Sequence, residues 1–167
     1  NQRMESGVES GPKIGYYTFS AHLNGGPTAM GPAGADRVHS VLDFHENIPA
    51  ELGDKDADAW MAAFRAKTLD FDYVWVNYRT MFEMLRDAVN KAGSTDALKV
   101  ALALEGLQVK DITGQVNTMR KTDHQMLVPF YQALFTKDVK YDSEKTGFGW
   151  KTENTVPAAE LDQPTAC

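Results

Sequence analysis

The chain has 167 residues, with 17 Lys and Arg against 23 Asp and Glu, a formal charge of −6 and 43% hydrophobic residues. This is the profile of a globular chain long enough for one domain, and its negative charge argues against nucleic acid or an anionic membrane surface as the main partner. Charge-free runs such as Val38–Leu42 and Met126–Phe135 fall well short of the ~20 apolar residues a membrane span needs. The single cysteine, Cys167, excludes a disulfide scaffold or a thiolate zinc site within the chain; it reads as an incidental thiol or as half of a disulfide whose partner lies elsewhere. Opening at Asn1 without an initiator Met or a signal-peptide pattern, the chain reads as a processed or excised segment.

In chain order, Pro12–Phe19 is β-rich and predicts a strand. The Gly/Pro-dense stretch Ser20–Gly34 follows, with a short helix from about Pro27 to Ala35 interrupted at Pro32. Val38–Phe44 predicts a second strand and Asn47–Asp58 an acidic loop. Helices are expected over Ala57–Thr68, with Trp60, Met61 and Phe64 on one stripe, and over Asp72–Ala92. In the latter, Val74, Tyr78, Met81, Phe82, Leu85 and Val89 recur at spacings of three and four, which predicts the core face. Gly93 stops this helix, Ser94-Thr95-Asp96 caps another that runs to Glu105, and Gly106 stops that one. Strands are then expected over Thr113–Met119, Met126–Phe135 (interrupted by Pro129) and Thr146–Val156, before a tail from Pro157 with little to pack. The mixture predicts an α/β chain with a parallel sheet covered by helices.

Motifs for covalent chemistry are missing. His22, His39, His45 and His124 lack metal-ligand spacing and read as solvated or locally bonded. No serine sits in a G-x-S-x-G elbow, and Asp123-His124 reads as a polar bend rather than an acid–base pair. Neither phosphate-loop signature occurs, and no cofactor is implied. What remains is a strand running through a glycine-bearing turn into a helix N-terminus, the place where open α/β sheets bind small ligands and where backbone amides can hold a carboxylate. Tyr16, Tyr17 and Phe19 at the first strand, and Tyr73, Trp75 and Tyr78 at the long helix, supply core packing or the walls of a small-molecule pocket.

Several blocks together resemble a known family. The run from Tyr73 to Leu107, the segment PTAMGPAGADRV (Pro27–Val38), the block GQVNTMRKTDHQMLVPFYQ (Gly114–Gln132) and the closing stretch from Gly147 to Cys167 are similar, in that order, to type I periplasmic solute-binding proteins of the branched-chain amino acid group that serves ABC importers. The resemblance implies two α/β lobes joined by a three-stranded hinge, with a solute held between them. It implies a chain of about half the family length: residues 1–70 a portion of the second lobe, 71–135 helices and strands mainly of the first lobe and hinge, and 136–167 a returning strand and tail. It also implies a periplasmic location, a membrane permease as partner, no enzymatic activity, and exposed apolar surface that associates with a missing N-terminal segment or with itself. Residue by residue, Val74-Trp75-Val76-Asn77-Tyr78 matches the family's Val-Trp-x-x-Tyr pattern, so Tyr78 is the first candidate for ligand contact. Leucine-binding members carry a Glu after the first strand that meets the ligand ammonium. Here Tyr17-Thr18-Phe19-Ser20-Ala21 holds no acid, so Tyr17, Phe19 and Ser20 are expected to line a cleft for an amide, a carboxylic acid or an aromatic acid. A ligand-sensing regulatory domain of the same fold, binding a small amide, is the alternative.

Overall fold

The structure, a computed structural model, describes residues 15–68 and 76–164. The expected roles of Tyr73, Trp75 and Cys167, and the first residues of the strand expected from Pro12, lie outside that range. The chain divides into two compact units: unit 1 comprises Asn1–Val74 with Phe130–Thr155, and unit 2 comprises Trp75–Pro129 with Val156–Cys167. The polypeptide therefore passes between units three times, at Val74/Trp75, Pro129/Phe130 and Thr155/Val156. Among the described residues no helix is long and apolar enough to cross a membrane.

Unit 1 is built on a four-stranded sheet in the order β1 (Tyr16–Thr18), β2 (Val38–Leu42), β6 (Phe130–Thr136), β7 (Gly149–Val156). The sheet is not parallel throughout: β1 and β2 run parallel, whereas β6 pairs antiparallel to β2 with Leu42 opposite Tyr131 and His39 opposite Leu134. The reason is topological. β1 and β2 are joined by α1 (Gly26–Gly34), a helical crossover that keeps their direction, while β6 arrives from the other unit. Strict alternation buries Val38, Ser40 and Leu42 from β2 and Tyr131, Ala133 and Phe135 from β6. Phe135 then packs on Phe148 and Trp150, with ring centroids 5.6 and 5.3 Å away.

The stretch read as an acidic loop holds a short helix, α2 (Ile48–Glu51), before α3 (Lys55–Thr68), whose Met61 is fully buried. Proline at the start of α2 and the Asp54 side chain accepting from the Ala57 amide supply the helix starts. α1 kinks at Gly31, which adopts φ 51°, directly before Pro32. At Gly26 a Cβ would stand 2.1 Å from the Ala21 carbonyl oxygen, so only glycine fits that turn.

Unit 2 pairs α4 (Val76–Ala92 as described) with α5 (Ala97–Leu104) and a small antiparallel sheet of β3 (Gln108–Lys110), β4 (Val116–Met119) and β5 (Met126–Leu127). The capping signals hold: Gly93 and Gly106 take φ 58° and 69°, and the Asp96 side chain accepts from the Lys99 amide at 3.0 Å. Pro129 divides the expected Met126–Phe135 strand into β5 and β6, which belong to different sheets. The core face of α4 is not the expected one. Val76, Thr80, Met84 and Ala88 are buried, whereas Tyr78, Met81, Phe82 and Leu85 are exposed. On a helical wheel these two sets occupy neighbouring arcs of ~100° each, so α4 is apolar over twice the width of an ordinary surface helix and covers only half of it within this unit. The tail also packs more than its sequence suggests, forming a 3-10 turn over Ala158–Leu161 that contacts β5.

Candidate functional site

Tyr17, Phe19 and Ser20 lie at and just beyond the carboxyl end of β1 in unit 1, and Tyr78 lies in the first turns of α4 in unit 2. Tyr17 is 65% exposed and stacks on His39 with ring centroids 4.6 Å apart; His39 Nδ1 sits 2.8 Å from Glu153 Oε2, which fixes the imidazole that supports the phenol. Phe19 is 80% exposed, a large apolar ring left open to solvent among the described residues. Ser20 follows; its amide donates to Thr18 Oγ1 and its carbonyl accepts from the Leu23 amide, which turns the chain toward α1.

The amides expected to hold a ligand carboxylate are already engaged. Glu144, from the loop between β6 and β7, places its carboxylate on the Gly25 and Thr28 amides, at 2.5 and 2.7 Å, at the N-terminus of α1. Gly25 has no side chain with which to cap the helix, and Glu144 takes that role from 119 residues away. The loop that carries it is rigidly tied. Asp142 accepts from the amides of Thr146 and Gly147, and the Asn47 amide group bonds the Tyr141 backbone and the Trp150 carbonyl. Ser143 and Arg65 both engage the buried Glu46.

Behind this surface the sequence reading missed a buried polar cluster. His22, expected to be solvated or locally bonded, is 6% exposed and its Nδ1 lies 2.9 Å from Ser40 Oγ. His45 is 1% exposed, with Nε2 against Thr152 Oγ1 at 2.8 Å and Nδ1 accepting from the Asn47 amide. Burial holds the His22 pKa below its ordinary value, and burial followed by the proximity of His22 pushes His45 down to about 3. Both rings are therefore neutral at neutral pH. Apart from the Asn47 amide, their partners Ser40 and Thr152 come from strands 18 and 107 residues away, so no local signal could have revealed the burial. Among the described residues no group of three His, Cys, Asp or Glu converges as a metal site requires.

In unit 2, Tyr78 is 57% exposed and lines a cleft of about 540 Å³ with Met81, Met84, Leu85, Leu104, Met119 and Met126. Among the described residues, Asn77, Tyr78 and His124 are its polar contributors. A wall this apolar suits packing against more polypeptide better than holding a polar solute, which needs several convergent polar groups. Asp123 and His124 do not form an acid–base pair: Asp123 bonds Arg120, while His124 takes a left-handed backbone (φ 55°) with Nε2 3.5 Å from Glu105.

A family model described as periplasmic binding protein matches residues 2–139. Among solved structures, the leucine-, isoleucine-, valine-, threonine- and alanine-binding protein of Brucella ovis, in its closed conformation, is similar at a TM-score of 0.79 and 20% identity, over 96% of this chain and 41% of that chain. An ABC-type branched-chain amino acid transporter protein of Rhodopseudomonas palustris CGA009 is similar at 0.66 and 21% identity, over 90% and 38%. An ABC transporter solute-binding protein of Rhodopseudomonas palustris BisB5, in complex with 3,4-dihydroxybenzoic acid, is similar at 0.66 and 15% identity, over 94% and 42%. At these identities the likeness is one of fold, and the chain spans about two fifths of the length of the proteins it matches. No curated protein matches the chain.

Proposed function

We propose that this chain, which belongs to the periplasmic binding protein family, forms part of the solute-binding component of an ABC-type importer. It works in the periplasm, holds its solute without covalent chemistry, and delivers it to a membrane permease. The three passages of the chain between units act as the hinge of a clamp. Unit 1 supplies a portion of one lobe and unit 2 a portion of the other. The exposed apolar half of α4 packs on the remaining polypeptide, which in the similar solved structures makes up about three fifths of the chain.

The observation that carries this reading is the position of Tyr17, Phe19 and Ser20. They stand at the carboxyl end of β1, in the parallel part of the sheet, where α/β folds bind small ligands, and two of them present aromatic rings to solvent. Tyr78, in unit 2, is a separate candidate for ligand contact, proposed from its place in the Val-Trp-x-x-Tyr pattern alone. The segment from Phe19 to Gly25 contains no acidic side chain, and the Glu144 carboxylate beside it is committed to two amides. A ligand ammonium would find no acid in that segment to offset its desolvation on closure. The solute we infer is an organic acid, aromatic acids included, with an amino-acid-like solute as the broader class.

In the full-length protein, Phe19→Ala and Tyr78→Ala each weaken solute binding by at least ~1–2 kcal/mol, the loss expected of a buried aromatic anchor. Calorimetric affinities unchanged by either substitution remove that residue from the site.

A further inference from the structure

We propose that Arg120 is a positioning residue that ties two of the three connections between the units to each other on the unit 2 side. Its guanidinium uses all five of its N–H donors. Nε donates to Asp123 Oδ1 at 3.0 Å, and Nη2 donates to Asp123 Oδ2 and, at 2.7 Å, to Gln125 Oε1. Nη1 donates to Asp162 Oδ1 and to the Gln163 carbonyl, both at 2.8 Å. The first three acceptors lie in the β4–β5 hairpin and the last two lie 42 and 43 residues downstream, in the tail that follows β7.

Covalent geometry gives this tie its significance. β5 ends at Leu127, two residues before the chain leaves unit 2 at Pro129/Phe130, and the chain re-enters at Thr155/Val156 just before the 3-10 turn and Asp162. One guanidinium therefore clasps the segment that leaves the unit to the segment that returns. The Arg120 side chain is only 16% exposed, and its hydrogen bonds to Asp123 and Asp162 raise its already high pKa, so the charge is permanent. An isolated surface ion pair would carry little weight. A planar fork with every donor satisfied fixes orientation as well as distance, which a lysine ammonium cannot reproduce. The consequence is that both connections move as one hinge element, and loosening the tie widens the range of inter-unit arrangements that a solute has to narrow. That bearing on solute affinity rests on the clamp reading above; the tie itself does not.

The test uses Arg120→Lys and Asp162→Asn in the full-length protein without any solute, with Asp87→Asn, which removes a separate surface ion pair of unit 2, as the control. Hydrogen exchange of residues 156–163 becomes about tenfold faster in both test variants and is unchanged in the control, because a local opening is released while the α4–α5 core keeps its protection. A distance distribution measured between one probe in each unit broadens in the same two variants, a readout that a merely stabilising role would leave unaltered. Unchanged exchange in the tail, or exchange that rises evenly through unit 2 with no broadening between the probes, overturns the proposal. Because no solute is present, either result leaves the solute-binding reading standing, and failure to find a solute leaves the tie standing.

Discussion

The buried His45 makes the stability of unit 1 pH-dependent in a window of its own. Its pKa is 6.5 when exposed in the unfolded chain and about 3 in the folded one, so between those values the native state binds fewer protons than the unfolded state. The stability it contributes is complete above pH 6.5 and is lost as the pH falls, at up to ~1.4 kcal/mol per unit. From pH 7 to pH 5 the loss is about 2 kcal/mol, a large share of the 5–15 kcal/mol that holds a typical domain. His22, whose pKa burial also lowers, adds in the same direction, whereas Glu51 Oε2, 3.9 Å from His45 Nε2 and partly exposed, opposes it too weakly to restore the charge. Carboxylates act elsewhere: Asp58, held below 3.8 first by its hydrogen bond from Lys140, loses its contribution only as the pH falls below that value. Urea unfolding at pH 7.5, 6.5, 5.5 and 5.0, for the wild type and His45→Gln in the full-length protein, separates the two windows. Gln keeps a donor toward Thr152 but does not titrate, so from pH 6.5 to 5.0 it loses about 1.6 kcal/mol less stability than the wild type. Parallel curves for the two proteins would show that the imidazole is not the acid-sensitive group.

The exposed half of α4 yields a prediction of context. Phe82 is 64% exposed in this chain, so Phe82→Asp changes the stability of the 167-residue chain by no more than ~0.5 kcal/mol, whereas it destabilises the full-length protein by ~3 kcal/mol or more, the cost of losing a buried aromatic and burying a charge. Thermal denaturation of both lengths decides this, and equal, small effects in the two would mean that the rest of the polypeptide does not cover α4.

Elements with local causes were legible in the sequence. Gly93, Asp96 and Gly106 bracket α5 because left-handed backbone and side-chain caps are written within a few residues. Pro32 and the Gly25-Gly26 turn marked the break and start of α1 for the same reason. What failed depended on partners distant in the chain. The direction of β6 is set by the connection that brings it back into unit 1, which no strand propensity reveals. The face of α4 was misread because its apolar residues span two arcs, and periodicity alone does not say which arc meets this unit and which is left uncovered. The same limit applies to the site. The aromatic residues and the absence of an acid were visible at Tyr17–Ser20, but the carboxylate on the α1 amides comes from Glu144, in a loop between two strands with no sequence signature. Arg120 and Asp123 stood out as part of a motif, yet Asp162 and Gln163, which give the arginine its role, sit in a tail with no pattern of its own.

The solute itself decides the rest. A thermal-shift series on the full-length protein should set leucine and valine against their amides and against benzoic and 3,4-dihydroxybenzoic acids. A ligand at 100 times its Kd stabilises the folded state by about 2.7 kcal/mol, so binding registers as a clear rise in melting temperature. The acids lacking an ammonium should raise the melting point, and Phe19→Ala should clearly reduce the rise. A large shift with leucine alone, or none with any compound, would contradict a site at Tyr17, Phe19 and Ser20 that receives an organic acid.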